Sequence, residues 1–299
     1  MNKGLVSLVR TTYRGRGVRD VLDGLGQNPV RGQEVFLKPN FNTADPCPGS
    51  THNDTLVALI RTLWDMGAAS IRLGERSWQP TGQVLADKGV LPLLKDLGVE
   101  VMDFDKLPAQ DWVLVNPPDS HWPQGFHVAR PILESPCLVG TCCLKTHQYG
   151  GVFTLSLKLF VGALPIKRLG FSEMGQLHDS PHQRRMIAEL NQAFSPALLL
   201  LDGVEAFVEG GPMTGRLVQA GMMAASADRV ALDAVGVAAL KDLGSTPEIM
   251  ERPIFAQEQI ARAVELGLGA AGPEQIELAT HDPASQEYAG RLRAILDRG

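Results

Sequence analysis

The run Cys137-Leu138-Val139-Gly140-Thr141-Cys142-Cys143-Leu144, followed at once by Lys145-Thr146-His147, decides how the rest of the chain is read. Its continuous apolar character suits a strand buried on both faces, and such strands belong to parallel sheets covered by helices. Outward from it, short apolar runs at 4–10, 33–38, 70–74, 99–104, 197–201, 220–225 and 276–279 read as further strands. Helical patterns near 18–25, 54–66, 84–97, 153–161, 186–194, 228–243, 253–267 and 284–296 separate them. This alternation predicts an α/β fold, a mostly parallel sheet with helices on both faces. The Trp- and Pro-containing segment 111–130 interrupts it and reads as a β excursion or lid. A boundary near residue 135 gives two lobes, an N-terminal α/β lobe over 1–135 and a C-terminal α/β lobe over 136–299, which can share a core.

The 299 residues are 44% hydrophobic and 20% charged, enough apolar material for a large buried core. A formal charge of -5 gives no electrostatic case for a nucleic-acid or anionic-membrane partner. No apolar run approaches the roughly 20 residues of a membrane span, and residues 1–10 lack the pattern of a secretory signal. The expectation is a cytoplasmic protein with a small-molecule ligand, for which a homo-oligomer is compatible. Four cysteines, Cys47, Cys137, Cys142 and Cys143, are too few for a disulfide framework. They read as buried apolar filler or, alternatively, as a zinc or iron–sulfur site using Cys137, Cys142 and Cys143. The spacing offers no Cys-x-x-Cys, and adjacent Cys142 and Cys143 would point to opposite sides of a strand.

Ligands of open parallel sheets gather beyond the carboxyl ends of the strands. Lys38, Asn40 and Asn42 follow the second strand, with Pro39 fixing an extended exit. Lys145, Thr146 and His147 follow the strand that begins at Cys137, Glu75 and Arg76 follow Gly74, and Asp202 follows Leu201. The segment 145–158 brings Lys145, Thr146, His147, Thr154 and Lys158 around the Gly150-Gly151 bend. Its lysines suit an anion or, if desolvated, supply an amine nucleophile, and His147 suits acid–base work or metal ligation. A helix over 153–161 would add its first amides as an anion site. His178 and His182 lie four apart, a helical metal-ligand spacing, although Pro181 between them argues for a loop. The glycine turn 209–215 lacks the Gly-Lys-Ser/Thr ending of a phosphate loop, and neither Gly-x-Gly-x-x-Gly after the first strand nor Gly-x-Ser-x-Gly occurs.

Lys38-Pro39-Asn40, Lys145-Thr146-His147, Leu157-Lys158 with Gly162, Leu177-His178, Asp202-Gly203 with Gly211-Pro212, and the run Asp228 to Asp233 occur in one order across nearly the whole chain. In that order they resemble domain-of-unknown-function family 362. Many members of that family carry ferredoxin-type cysteine motifs and are described as iron–sulfur proteins; those motifs are missing here. The chain also has Leu159 where the family usually has Asn directly after the Lys that matches Lys158. A looser similarity connects His147, Gly150-Gly151, Lys158 and His178 to the nickel-pincer lactate racemase family, which orders a His, a glycine bend, a cofactor-holding Lys and a second His in this way.

Together these readings predict an enzyme of small-molecule metabolism with His147 and Lys158 as catalytic groups. Lys38, Asn40, Lys145 and Thr146 would bind an anionic substrate or cofactor, and His178 or His147 could ligate a divalent metal. The alternatives are an iron–sulfur or other metal-binding redox protein, and a non-catalytic ligand-binding module.

Overall fold

In the computed structural model, residues 4–166 and 172–299 are described. The strands are β1 (Leu5–Arg10), β2 (Glu34–Lys38), β3 (Ser70–Glu75), β4 (Glu100–Asp103), β5 (Trp112–Val115), β6 (Phe126–Ala129), β7 (Cys137–His147), β8 (Val152–Phe153), β9 (Pro196–Gly210), β10 (Gly215–Ser226) and β11 (Glu277–Ala279). The helices are α1 (Arg14–Asp23), α2 (Asn53–Asp65), α3 (Thr81–Asp87), α4 (Val90–Asp96), α5 (Arg130–Leu133), α6 (Leu155–Leu159), α7 (Glu173–His178), α8 (Gln183–Leu190), α9 (Arg229–Asp242), α10 (Pro247–Met250), α11 (Glu258–Glu265) and α12 (Pro283–Arg298).

A nine-stranded sheet runs β11-β1-β10-β9-β7-β2-β3-β4, with β8 paired to β7. Only β10 and β8 oppose their neighbours; every other pairing in this sheet is parallel. The α/β architecture expected from the alternating pattern is therefore present. Side-chain alternation along the strands sorts the apolar residues onto two faces. Val35 and Leu37 of β2, Val139 of β7 and Leu200 of β9 join the core under α1 to α4. Phe36, Leu138, Leu144 and Leu201 join the core under α6, α8, α9, α11 and α12. The segments on either side of residue 135 thus share one sheet and differ in the face their main helices cover. The excursion at 111–130 is a two-stranded β5–β6 sheet, whose Trp122, Phe126 and Val128 seal the second face.

Two strands outrun their sequence-based limits, and both matter for the site. β7 continues through Lys145, Thr146 and His147, so these residues belong to the strand and do not follow it. Its register places Lys38, the last residue of β2, opposite Gly140, which leaves Thr141 to His147 projecting beyond the β2 edge. β9 continues through Asp202, which is fully buried and accepts from Arg14 Nε at 3.0 Å and Thr55 Oγ1 at 2.5 Å. Asp202 is a core anchor and not a turn residue. The glycine segment at 209–215 closes the β9–β10 hairpin. At α2 the cap is His52, whose Nδ1 accepts from Asp54 N at 3.0 Å.

Candidate functional site

The ends of β2 and β3 and the projecting part of β7 enclose a cavity of about 480 Å³. Lys38, Asn40, Glu75, Arg76, Cys142, Lys145, His147, Lys158 and His178 line it, with Trp78 and Tyr149, both more than half exposed, on its rim. The position is the one that parallel-sheet topology favours, at the carboxyl ends of adjacent strands.

The β2–β3 wall is a closed electrostatic unit. Lys38 forms a buried ion pair with Glu75 and donates to Pro39 O at 2.7 Å. Glu75 also accepts from Phe41 N at 2.8 Å and Arg76 N at 3.0 Å. Burial pushes the Glu75 carboxyl up and the Lys38 ammonium down, and each charge opposes the other's shift. The guanidinium of Arg76 donates to Leu164 O at 2.7 Å and Val161 O at 2.8 Å. Gly162 lets this segment close over the pair, because a Cβ there would lie 2.7 Å from Glu75 Oε1 and 2.8 Å from Lys38 Nζ. Lys38 is 1% exposed; the solvated lysine that a strand end allows is not what forms.

The opposite wall is built from β7, α6 and α7. Lys145 donates to Gly49 O at 2.6 Å and Pro212 O at 3.3 Å, and burial lowers its ammonium. Lys158 has no hydrogen-bond acceptor among the described residues. Burial, reinforced by the Lys145 and Arg76 charges, brings it down to about 7. Its helix is short and tightly held: Asp233 accepts from Ser156 N at 2.7 Å, Ser156 Oγ at 2.5 Å and Leu157 N at 3.2 Å. The free amides expected at 153–161 as an anion site are therefore already filled by this carboxylate. Val152 (φ 64°) and Leu155 (φ 55°) both adopt left-handed backbone on the approach to α6, at a cost on the order of 1–3 kcal/mol each.

The two imidazoles are held in opposite tautomers. His147 Nδ1 accepts from Gly151 N at 3.3 Å, so the neutral ring carries its proton on Nε2. Gly151 is needed there, since a Cβ would sit 2.8 Å from that Nδ1. His178 donates from Nδ1 to Met174 O at 2.7 Å, which leaves its Nε2 with a free lone pair. Burial, then the positive charge of Lys158, His178 and Lys145, drives His147 down to about 2, and burial also lowers His178. His147 is thus a donor held neutral, while the acceptor suited to a proton is on His178. The sequence placed the acid–base role on His147; the hydrogen bond from Gly151 moves it.

Several expected site residues stand elsewhere. Thr146 Oγ1 donates to Gly210 O at 3.1 Å, tying β7 to the hairpin, and does not line the cavity. Asn40 lines the cavity and bonds the Cys143 thiol, which its Cys47 contact, Lys145 and Asn40 together draw down against burial. Cys142, which lines the cavity, bonds Leu200 O at 3.6 Å and points to the opposite face of β7 from Cys143, and Cys137 bonds Pro29 O at 3.7 Å. Six residues of strand, about 20 Å, separate Cys137 from Cys143. Cys137, Cys142 and Cys143 therefore do not converge, and burial holds the Cys142 and Cys137 thiols protonated. Among the described residues no group of three or more His, Cys, Asp or Glu could hold a metal ion. A divalent cation at the cavity would find one imidazole lone pair, on His178, amid lysines and an arginine, so the donor set does not fit one. His182 sits on the outside, its ring 4.4 Å from that of His121, away from His178's cavity role.

Sequence reasoning passed over Asp233, whose signal was its place in the Asp228-to-Asp233 run, and it gave Arg76 and Glu75 too little weight. The chain is matched by the family model "Domain of unknown function (DUF362)" over residues 35–238. The protein belongs to that family. It is 26% identical to the thylakoid-associated protein sll1697 of Synechocystis sp. over 223 residues, 74% of this chain and 67% of that protein. Among solved structures it is similar to the lactate racemase apoprotein from Thermoanaerobacterium thermosaccharolyticum, at 14% identity and a TM-score of 0.45. That likeness covers 76% of this chain and 54% of the racemase chain. No helix among the described residues is long and apolar enough to cross a membrane.

Proposed function

We propose that this member of the family is an enzyme that binds a small anionic substrate in the β2–β3–β7 cavity and moves a proton on it. The observation that carries the reading is a charge imbalance. Lys38, Arg76, Lys145 and Lys158 face one carboxylate, Glu75, and that carboxylate is already engaged by Lys38. Lys145 has only carbonyl partners, Arg76 bonds two carbonyls and the Met174 sulfur, with Glu75 and Asp105 as its nearby carboxylates, and Lys158 has no acceptor among the described residues. Cations desolvated without a counter-charge are costly alone and favourable once an anion enters. In this reading Lys145, Lys158 and Arg76 bind the anion, His147 Nε2–H donates to a substrate oxygen, and His178 Nε2 accepts the proton.

The test is a thermal-shift and turnover screen of small carboxylates and phosphate esters against neutral amides of the same shape. Anions should raise the melting temperature and neutral analogues should not. His178→Gln should keep the anion shift and lower turnover of any substrate found by roughly 10²-fold or more. Equal stabilisation by neutral analogues would remove the reading.

A further inference from the structure

Three lysines line the cavity and only two of them are spoken for. Lys38 is paired with Glu75, and Lys145 is anchored by the Gly49 and Pro212 carbonyls. Lys158 stands on a five-residue helix clamped by Asp233, with Lys145 and Arg76 as its charged neighbours and no acceptor among the described residues. Among the described residues the charges that act on it are Lys145 and His147 from β7, Arg76 after β3, and His178 from α7. The nearby carboxylates are engaged elsewhere, Asp233 of α9 by Ser156 and Leu157 and Glu75 by Lys38. An amine placed so, in a water-poor pocket beside other cations, exists in good part as the neutral nucleophile. Such an amine gives little to a hydroxy acid or a phosphate ester, whose reacting carbons are not electrophilic; it is matched to a carbonyl carbon.

We propose that Lys158 captures the carbonyl carbon of a small oxo acid as an imine, while Lys145 and Arg76 hold the acid's carboxylate. This rests on the anion-site reading above and names the substrate class for it. The Lys158 lone pair forms the C–N bond as the C=O π pair moves onto oxygen, which His147 Nε2–H stabilises as a hydrogen-bond donor. The nitrogen loses a proton to His178 Nε2, and His178 passes it to the oxygen to give the neutral carbinolamine. His178 then takes the remaining N–H proton as the nitrogen lone pair forms C=N and the C–O bond breaks, and the departing hydroxyl receives that proton from His178 and leaves as water. One oxo acid and one amine give one imine and one water, with no oxidant or reductant consumed.

Full-length protein is incubated with pyruvate or 2-oxoglutarate and sodium borohydride, followed by intact mass measurement and peptide mapping. In parallel, binding of oxamate, whose amide carbonyl forms no imine, is measured by calorimetry. The expected result is one reduced adduct per chain on Lys158, trapped in greater yield at pH 8 than at pH 6, and blocked by oxamate. Lys158→Arg, which keeps the positive charge, should lose the adduct and retain oxamate binding. Oxamate binding with no adduct, or adducts spread over surface lysines and equal in Lys158→Arg, would overturn the imine while leaving the anion site standing. Absence of oxamate binding together with absence of adduct would overturn both.

Discussion

Both walls of the cavity carry buried lysines, and they differ in whether a carboxylate answers them. On the β2–β3 wall, Lys38 and Glu75 satisfy each other and the surrounding backbone, while Arg76 is positioned by two carbonyls with no carboxylate bonded to its guanidinium among the described residues. On the β7–α6 wall, Lys145, His147, Lys158 and His178 present donors and lone pairs with no anion among them. The contrast teaches which lysine is architecture and which is chemistry. A completed buried ion pair holds a fold in register; an uncompleted set of cations stores a cost that a ligand relieves.

The largest expected effect of breaking this contrast is on the closed wall. Glu75→Ala strands the Lys38 charge in a buried site and removes the acceptor of two backbone amides, so denaturant unfolding should report a loss of about 3–5 kcal/mol. On the open wall the same experiment should give the reverse. Lys158→Met should raise stability at pH 7, because nearly all of the buried amine's protonation penalty is already present there, while anion affinity falls by about 10-fold or more, the worth of one charged hydrogen bond.

The pH dependence sharpens the difference. Lys158 is lowered from 10.5 to about 7 in the folded protein, so between those values the unfolded chain binds more protons than the native one. Its contribution therefore makes stability rise with pH across this window, and its destabilising effect is complete below pH 7. Relative to wild type, Lys158→Met should gain stability at pH 6 and lose that advantage by pH 10. His147 behaves likewise further down. Held to about 2 against its usual 6.5, it erodes stability as pH falls from 6.5 towards 2, and His147→Gln should flatten that part of the acid-unfolding profile. The smallest effect belongs to Thr146→Val, which removes one hydroxyl bond to Gly210 and should cost about 1 kcal/mol of stability with anion binding intact.

Much of this was legible in the chain. The uncharged run from Cys137 announced a doubly covered strand, the alternation of runs announced the α/β class, the rule about strand carboxyl ends picked out Lys38, Asn40, Glu75, Arg76, Lys145 and His147, and the glycine bend at 150–151 pointed to Lys158. What stayed hidden depends on register and on single hydrogen bonds. Nothing in Lys38-Pro39-Asn40 says that Glu75, 37 residues on, will neutralise the lysine. Nothing in the His147 neighbourhood says that a Gly151 amide will fix its tautomer and pass the proton-accepting role to His178. The filling of the α6 amides by Asp233 depends on α9 packing against α6, a contact between segments about 77 residues apart. Strand ends misled in one direction only, because β7 runs on past the end of β2 and β9 runs on through Asp202 between β7 and β10, so both carry polar residues inside strands that the sequence ends earlier.

The central claim is that the open wall lacks an anion, and proton-linked calorimetry tests it most directly. Oxamate is titrated into the protein at pH 8 in two buffers of different ionisation enthalpy. Binding of one anion per chain should be accompanied by uptake of close to one proton, as the neutral Lys158 amine becomes an ammonium beside its new counter-charge, and the uptake should vanish in Lys158→Met. Binding with no proton uptake, or uptake that persists in Lys158→Met, would contradict the account.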